Sequence, residues 1–332
     1  MKPLLECVPN FSEGNDLNVI DRIREAIVAV PGQKLLHIDP SPSANRTVFT
    51  FAGQPEAVAE AAFRAIETAG RLIDMRRQQG AHPRIGATDV CPLIPLGGLE
   101  TAVALSLAEQ LGQRVGDELD IPVYLYEQSA KTDYRRALPD IRKGGYEGLQ
   151  AKMKQAEWQP DYGPSTPQGW GQISRTGATV IGARNVLVAF NISLDTRDAG
   201  IAADIARQMR SRNKGLLPML RAIGWYMADF DCAQVSMNLL DYRITSPLTV
   251  WDTCKALAAA YGVVPTGCEV VGLIPEACVL EAGAAALGKA IAETSREQVV
   301  AAGIGYLKLD GVKPFAPREK ILEYVLEGVG LF

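Results

Sequence analysis

Only two histidines occur in the 332 residues, and one of them sits where it could move protons. His82 stands in Gln79-Gly80-Ala81-His82-Pro83-Arg84-Ile85-Gly86-Ala87-Thr88-Asp89-Val90-Cys91-Pro92, between a helical pattern and an apolar strand. Gly80 and Gly86 allow turns that other residues resist, and Pro83 fixes φ directly after the histidine. The imidazole is therefore presented by a loop with few alternative shapes. Its unperturbed pKa lies near neutrality, which suits a general acid or base. The competing reading is a histidine that only hydrogen-bonds its own loop. His37 falls inside a predicted strand and reads as structural.

Other polar residues could serve such a group. Asn10, Asp39 and Asn191 each directly follow a predicted strand, where functional side chains of layered α/β domains gather, although turn chemistry favours the same residues. Arg46, Arg84, Arg175 and Arg184 lie beside glycine or loop residues instead of in a helical charge ladder. Arginines held this way suit a carboxylate or phosphate, with plain solvation as the alternative. Together these residues point to a small anionic substrate with flat parts.

Several chemistries lack support. There is no Gly-rich phosphate loop for a nucleotide, no His-x-x-x-His pair for a metal and no Gly-x-Ser-x-Gly elbow for an acyl-serine enzyme. A net charge of -4 and a pI near 5.5 argue against nucleic acid held by bulk electrostatics. Cys7, Cys91, Cys232, Cys254, Cys268 and Cys278 form no Cys-x-x-Cys pair and fall mostly in apolar runs, so buried reduced thiols are expected, with neither disulfides nor zinc. The start of the chain shows no apolar signal region, and no stretch approaches a membrane span. A cytoplasmic protein is expected.

The elements that must position these residues follow from periodicity. Leu4 to Val8, Leu35 to Ile38, Thr47 to Phe51 and Val90 to Ile94 read as strands. Helices are predicted from Leu17 to Ile27 and from Pro55 towards Met75, and Asp39-Pro40-Ser41-Pro42-Ser43 reads as a loop that cannot continue a sheet. The order strand, helix, strand, strand, helix, strand then recurs. Val186 to Phe190, a helix from Asp198, Trp225 to Ala228, Gln234 to Leu240, a helix from Pro247 and Gly267 to Ile274 supply the second copy. Asn10 and Asn191 lie 181 positions apart, and Leu93 and Leu273 lie 180 apart. A repeat of this period indicates two related packing units, against the alternative that so common an order arises twice by chance. Between the copies, Trp158 to Gly171 is dense in Pro, Gly and aromatics, as a binding loop or a linker would be; its two tryptophans favour binding. The expected fold is α/β (α+β): two related βαββαβ subdomains, residues 1–180 and 181–332, ferredoxin-like in topology with helices on one face of each sheet.

Six strings are distinctive: Glu6-Cys7-Val8-Pro9-Asn10-Phe11-Ser12-Glu13-Gly14, Asn45-Arg46-Thr47-Val48-Phe49-Thr50-Phe51, the His82 stretch, Glu118 to Tyr126, Gly177 to Arg184 and Ala233 to Asp241. In these the chain resembles the formiminotransferase family over nearly its whole length. The resemblance implies transfer of a formimino group between N-formimino-L-glutamate and N5 of tetrahydrofolate as co-substrate, in histidine degradation, by a homodimer without a metal. It places the catalytic histidine on His82. The folate-binding loop falls on Gly163-Pro164-Ser165-Thr166-Pro167-Gln168-Gly169-Trp170-Gly171-Gln172, a segment a few residues longer here than is usual. Asp39 is expected to orient His82; Arg46, Arg84 and Arg184, with Asn10 and Asn191, to hold substrate; and Trp158 or Trp170 to cover an aromatic ring. Vertebrate relatives carry a cyclodeaminase domain beyond this region, so ammonia release is expected from a separate cyclodeaminase. The rivals are a glutamate N-formyltransferase using the same pocket and a non-catalytic folate-binding homologue.

Overall fold

Pro9 cannot donate to a sheet, and it splits the first apolar run into β1 (Leu4–Cys7) and β2 (Asn10–Phe11). In the computed structural model, which describes residues 2–165, 170–210, 215–288 and 294–332, α1 (Leu17–Val28) follows. Asp16 caps it by accepting from the amides of Asn18 and Val19, and Ile20, Ile23 and Ile27 enter the core. A hairpin of β3 (Gln33–Ser41) and β4 (Arg46–Gly53) leads to α2 (Pro55–Leu72) and β5 (Thr88–Leu96). β1 and β2 pair antiparallel with both β4 and β5, while β3 pairs with β4. The order of these four positions is fourth, first, third, second, which is the ferredoxin-like plan.

The first unit, Met1–Arg184, then extends its sheet. After α3 (Thr101–Leu119) come β6 (Val123–Leu125), an insertion carrying α4 (Leu138–Arg142), α5 (Gly145–Lys152) and α6 (Trp170–Thr176), and β7 (Thr179–Ala183). β7 lies parallel beside β5, and β6 lies parallel outside it. Side chains alternate across a strand. Cys91, Leu93, Ile181 and Ala183 enter the core shared with the first three helices. Val90, Val180 and Tyr124 meet Ile141, Leu149, Met153 and Ile173 of the insertion in a smaller core.

The second unit, Asn185–Gly330, repeats the plan with β8 (Val188–Leu194), α7 (Ala199–Met209), β9 (Leu220–Met227), β10 (Cys232–Leu239), α8 (Pro247–Ala259) and β11 (Pro265–Val271). Its antiparallel order is β11-β8-β10-β9, again fourth, first, third, second. Phe190, Ile192 and Leu194 pack with Val250, Trp251 and Cys254 in a separate core. Among the described residues four helices follow: α9 (Glu276–Leu287), α10 (Arg296–Leu307), α11 (Pro317–Lys320) and α12 (Leu322–Gly328). Among the described residues no helix is long and apolar enough to cross a membrane.

The mixed fold class stands, with three local corrections. Asp39-Pro40-Ser41 does not leave the sheet: β3 runs to Ser41, with Pro40 opposite Thr47. A proline is tolerated there because β3 lies at the edge of its sheet, so the missing N–H costs no ladder bond. β8 reaches Leu194, so Asn191 lies inside a strand, as do Asn10 in β2 and Asp39 in β3. Helix α10 was not expected at all.

Candidate active site

The loop between α2 and β5, residues 73–87, carries His82 and is tied down from four directions. The Asn45 side chain donates to the Gln79 carbonyl at 2.6 Å, and Gln78 Nε2 donates back to the Asn45 carbonyl at 3.0 Å. Ser12 Oγ donates to the Gly86 carbonyl at 2.7 Å. The Ala178 amide donates to the Ile85 carbonyl at 3.0 Å. Finally Asp89, 2% exposed, accepts the Ile85 amide at 2.9 Å. The two glycines are required by close approach: a Cβ on Gly80 would lie 2.4 Å from the Ala44 carbonyl, and one on Gly86 2.1 Å from that of Ala178.

Asn45 is the hub of this arrangement. It adopts a left-handed conformation (φ 45°) in the β3–β4 turn, which asparagine tolerates better than most residues. Its Oδ1 accepts from the Gly14 amide and from Asn15 Nδ2, each at 2.9 Å. Three loops thereby converge on a tightly closed polar crevice lined by Ser12, Asn45, Arg46, Gln78, His82, Arg84 and Asp89.

Arg46 Nη1 lies 2.6 Å from His82 Nε2. A guanidinium only donates, so Nε2 accepts and the ring is neutral. The Pro83 carbonyl bonds the imidazole and favours its charged form, but burial, then the charges of Arg46 and Arg142, outweigh it and hold the pKa well below the ordinary value. Arg142, the last residue of α4, is itself locked by an ion pair to Asp89. Asp89 thus fixes both the loop backbone and one of the two cations acting on the histidine. Neither Asp89 nor Arg142 was chosen from the sequence, because 53 residues separate them.

The expected partners divide. Asp39 Oδ2 lies 3.8 Å from His37 Nε2, and the side chain at His82 Nε2 is that of Arg46. Register does bring Asn10, Val48 and Asp39 into one row, with Arg46 two residues along β4, so all three polar candidates share a sheet face. Arg84 already holds Glu147 with two bonds, at 2.8 and 3.0 Å, and Gln78 at 2.7 Å, so its fork is occupied. Arg175 donates to the Arg71 carbonyl. Arg184 bonds Tyr126, whose hydroxyl burial pushes up to about 12. Asn191 belongs to the second unit, where its Nδ2 donates to Glu269 at 3.0 Å.

Of the expected folate loop, Thr166, Pro167, Gln168 and Gly169 lie outside the described residues. Its ends are anchored. Gly163 (φ +80°) presses against the Ile121 carbonyl, and Pro164 and Ser165 follow it without regular structure. Trp170 stacks on Tyr146 with ring centroids 6.3 Å apart, the Gly171 carbonyl accepts from Ser174, and Gln172 donates to Asp120 at 3.2 Å. Trp158 instead packs edge-on against Tyr134, beneath the Lys152 ammonium. Tyr146 joins the two regions: its amide donates to the Arg84 carbonyl at 2.9 Å and its hydroxyl to the Ser174 carbonyl at 2.5 Å.

A roomier cleft of about 480 Å³ in the second unit includes Arg197, Phe230, Asp231 and Cys232. It has no imidazole, and its arginine is paired with Asp231. The His82 cleft is smaller but contains an imidazole.

Comparison with known proteins decides the family. The profile described as formiminotransferase domain, N-terminal subdomain, matches residues 4–184, and that of the formiminotransferase domain matches residues 188–327. The chain belongs to the formiminotransferase family. It is similar to formimidoyltransferase-cyclodeaminase of Rattus norvegicus, 44% identical over 338 residues, covering 99% of this chain and 61% of the relative. It is also similar to glutamate formimidoyltransferase of Thermoplasma acidophilum, 40% identical over 280 residues (84% of this chain, 90% of the relative). The enzyme of that name from Streptococcus pyogenes serotype M1 is 40% identical over 282 residues (85% and 92%). The chain thus spans about three fifths of the length of the formimidoyltransferase-cyclodeaminase relatives.

Proposed function

We propose that this chain is a glutamate formimidoyltransferase that moves the formimino group between N-formimino-L-glutamate and N5 of tetrahydrofolate, in histidine degradation. The observation that carries the reading is the neutral His82, its Nε2 lone pair turned towards a cationic residue in a polar cleft. Supporting it are the family and the names of the two relatives that the chain nearly spans.

The reaction joins the folate N5 to the amidine carbon and then breaks the bond from that carbon to the glutamate nitrogen. His82 takes the proton that N5 sheds and returns it to the departing nitrogen, so glutamate leaves as a neutral amine and no covalent enzyme species is required. Holding two substrates side by side supplies much of the acceleration. Arg46 is assigned to a donor carboxylate. The 163–172 segment is assigned to the folate, with Trp170 and Tyr146 as a flat surface suited to its aromatic parts. Asn10 and Asp39 contribute polar groups on the same sheet face as Arg46, and Arg184 and Asn191 are assigned to substrate. A cytoplasmic homodimer and a cyclodeaminase acting downstream belong to the same reading.

Purified protein supplied with tetrahydrofolate and either N-formimino- or N-formyl-L-glutamate tests it, with the folate product followed by absorbance. Turnover is expected with the formimino donor. His82→Ala should lose at least about a hundredfold in kcat while binding folate as before. Turnover of the formyl donor alone, or full activity of the variant, would reject the assignment.

A further inference from the structure

Asp89 divides its two carboxylate oxygens between two tasks. Oδ1 accepts the Ile85 amide, further along the loop from His82, and Oδ2 accepts Nη2 of Arg142, which α4 brings across from the insertion. We propose that Asp89 and Arg142 form a positioning pair for His82: one buried carboxylate fixes the backbone that carries the imidazole and, on its other oxygen, a cation supplied by the insertion. The inference rests on the function proposed above and deepens it by adding two residues that act through the histidine.

Stability alone explains the pair poorly. Its side chains are largely out of water, Asp89 2% and Arg142 14% exposed, and the attraction in a pair buried this far roughly offsets the cost of desolvating it. Arg142 Nε is in addition buried without an acceptor among the described residues, a cost that a well-packed apolar side chain would not carry. What the pair does supply is a charge in a fixed place. Lys152 donates to the carbonyls of Asp140 at 3.0 Å and Ile141 at 2.6 Å, tethering α4, and the Ile141 side chain is buried in the smaller core. Arg142 is thus fastened at its backbone and at its guanidinium. Its charge favours the neutral, proton-accepting ring that the proposed reaction uses. The other charged groups around the ring are Arg46 of β4, on Nε2, and Arg84 of the same loop, paired with Glu147 of α5. Among the described residues lining the crevice, Asp89 alone carries a carboxylate.

The test reads the imidazole directly. Nitrogen-15 NMR follows the titration of both histidines in the free protein, with His82→Ala assigning the signal of His82, beside the pH dependence of kcat/KM for formimino transfer. In the wild type the ring should titrate below about 6.5, and the Ile85 amide should resist hydrogen exchange. Arg142→Met should raise the His82 pKa by at least about half a unit, about a threefold change in protonation, and carry the acidic limb of kcat/KM with it. Arg142→Lys, which keeps the charge, should restore the wild-type value. Asp89→Asn keeps an acceptor for the Ile85 amide but loses the ion pair, so kcat should fall at least about tenfold with that amide still protected. The double variant Asp89→Asn/Arg142→Met leaves no buried charge behind and serves where a single variant fails to fold. A positioning role keeps its kcat low and its His82 pKa raised; a merely structural role returns both to wild-type values. An unmoved titration in Arg142→Met, such a return in the double variant, an ordinary pKa in the wild type or rapid exchange at its Ile85 amide would overturn the inference. The wild-type measurements decide alone if every variant fails to fold. Transfer with an unmoved titration would reject the pair and leave the function standing. The shifts without transfer would do the reverse.

Discussion

Enclosing an imidazole beside two guanidiniums makes its neutral form part of the folded state. Unfolded, the same ring titrates near the ordinary value of about 6.5, so between the two pKa values the unfolded chain binds more protons. The contribution of His82 is therefore complete above about pH 6.5 and is lost as pH falls from there towards the lower folded value. The slope is at most about 1.4 kcal/mol per pH unit for one group. Urea unfolding between pH 7.5 and 5 should show this loss, and His82→Ala should flatten it; equal slopes in the two proteins would contradict the assignment. At this scale the sequence was partly legible. His82 stood out because a rare residue type sits among Gly80, Pro83 and Gly86. A carboxylate before proline looks like a loop residue, yet Asp39 lies in the edge strand β3, with its Oδ2 3.8 Å from His37 Nε2. Asp89 and Arg142 were invisible because their link exists only once α4 is folded across the sheet.

Among the elements, the 73–87 loop owes its shape to backbone contacts more than to any one side chain. Gly86 shows this best, since its bridge to Gly177 leaves a Cβ 2.1 Å from the Ala178 carbonyl. Overpacking of that kind costs about 1–3 kcal/mol and is relieved by moving the chain. Gly86→Ala should therefore lower kcat at least about tenfold with only a modest fall in thermal midpoint, because the loop moves while both cores stay intact. Wild-type kcat in that variant would show that the loop need not be held. Most strands and helices could be read from periodicity, and the failures have physical causes. Pro40 hid the end of β3 because proline is excluded from central strands but not from edges. Helix α10 was masked by Gly303 and Gly305, poor helix formers, although Ser295 and Gln298 form a capping box at its start. Gly303 is there because α9 comes so close that a Cβ would meet the Val279 carbonyl at 2.1 Å.

At the scale of the molecule, one strand plan is used twice, and the spacing of Asn10 and Asn191 already exposed it. Each unit has its own core and its own sheet. The resemblance ends at the connection that carries His82. Where the first unit spends residues 73–87 between its second helix and fourth strand, the second spends only residues 260–264, and no histidine lies beyond His82. Duplication of the frame has thus not duplicated the histidine loop. Stoichiometry follows from that asymmetry: calorimetric titration with a reduced folate should saturate at one equivalent per polypeptide, and a count of two would mean that the shorter connection hosts a centre of its own.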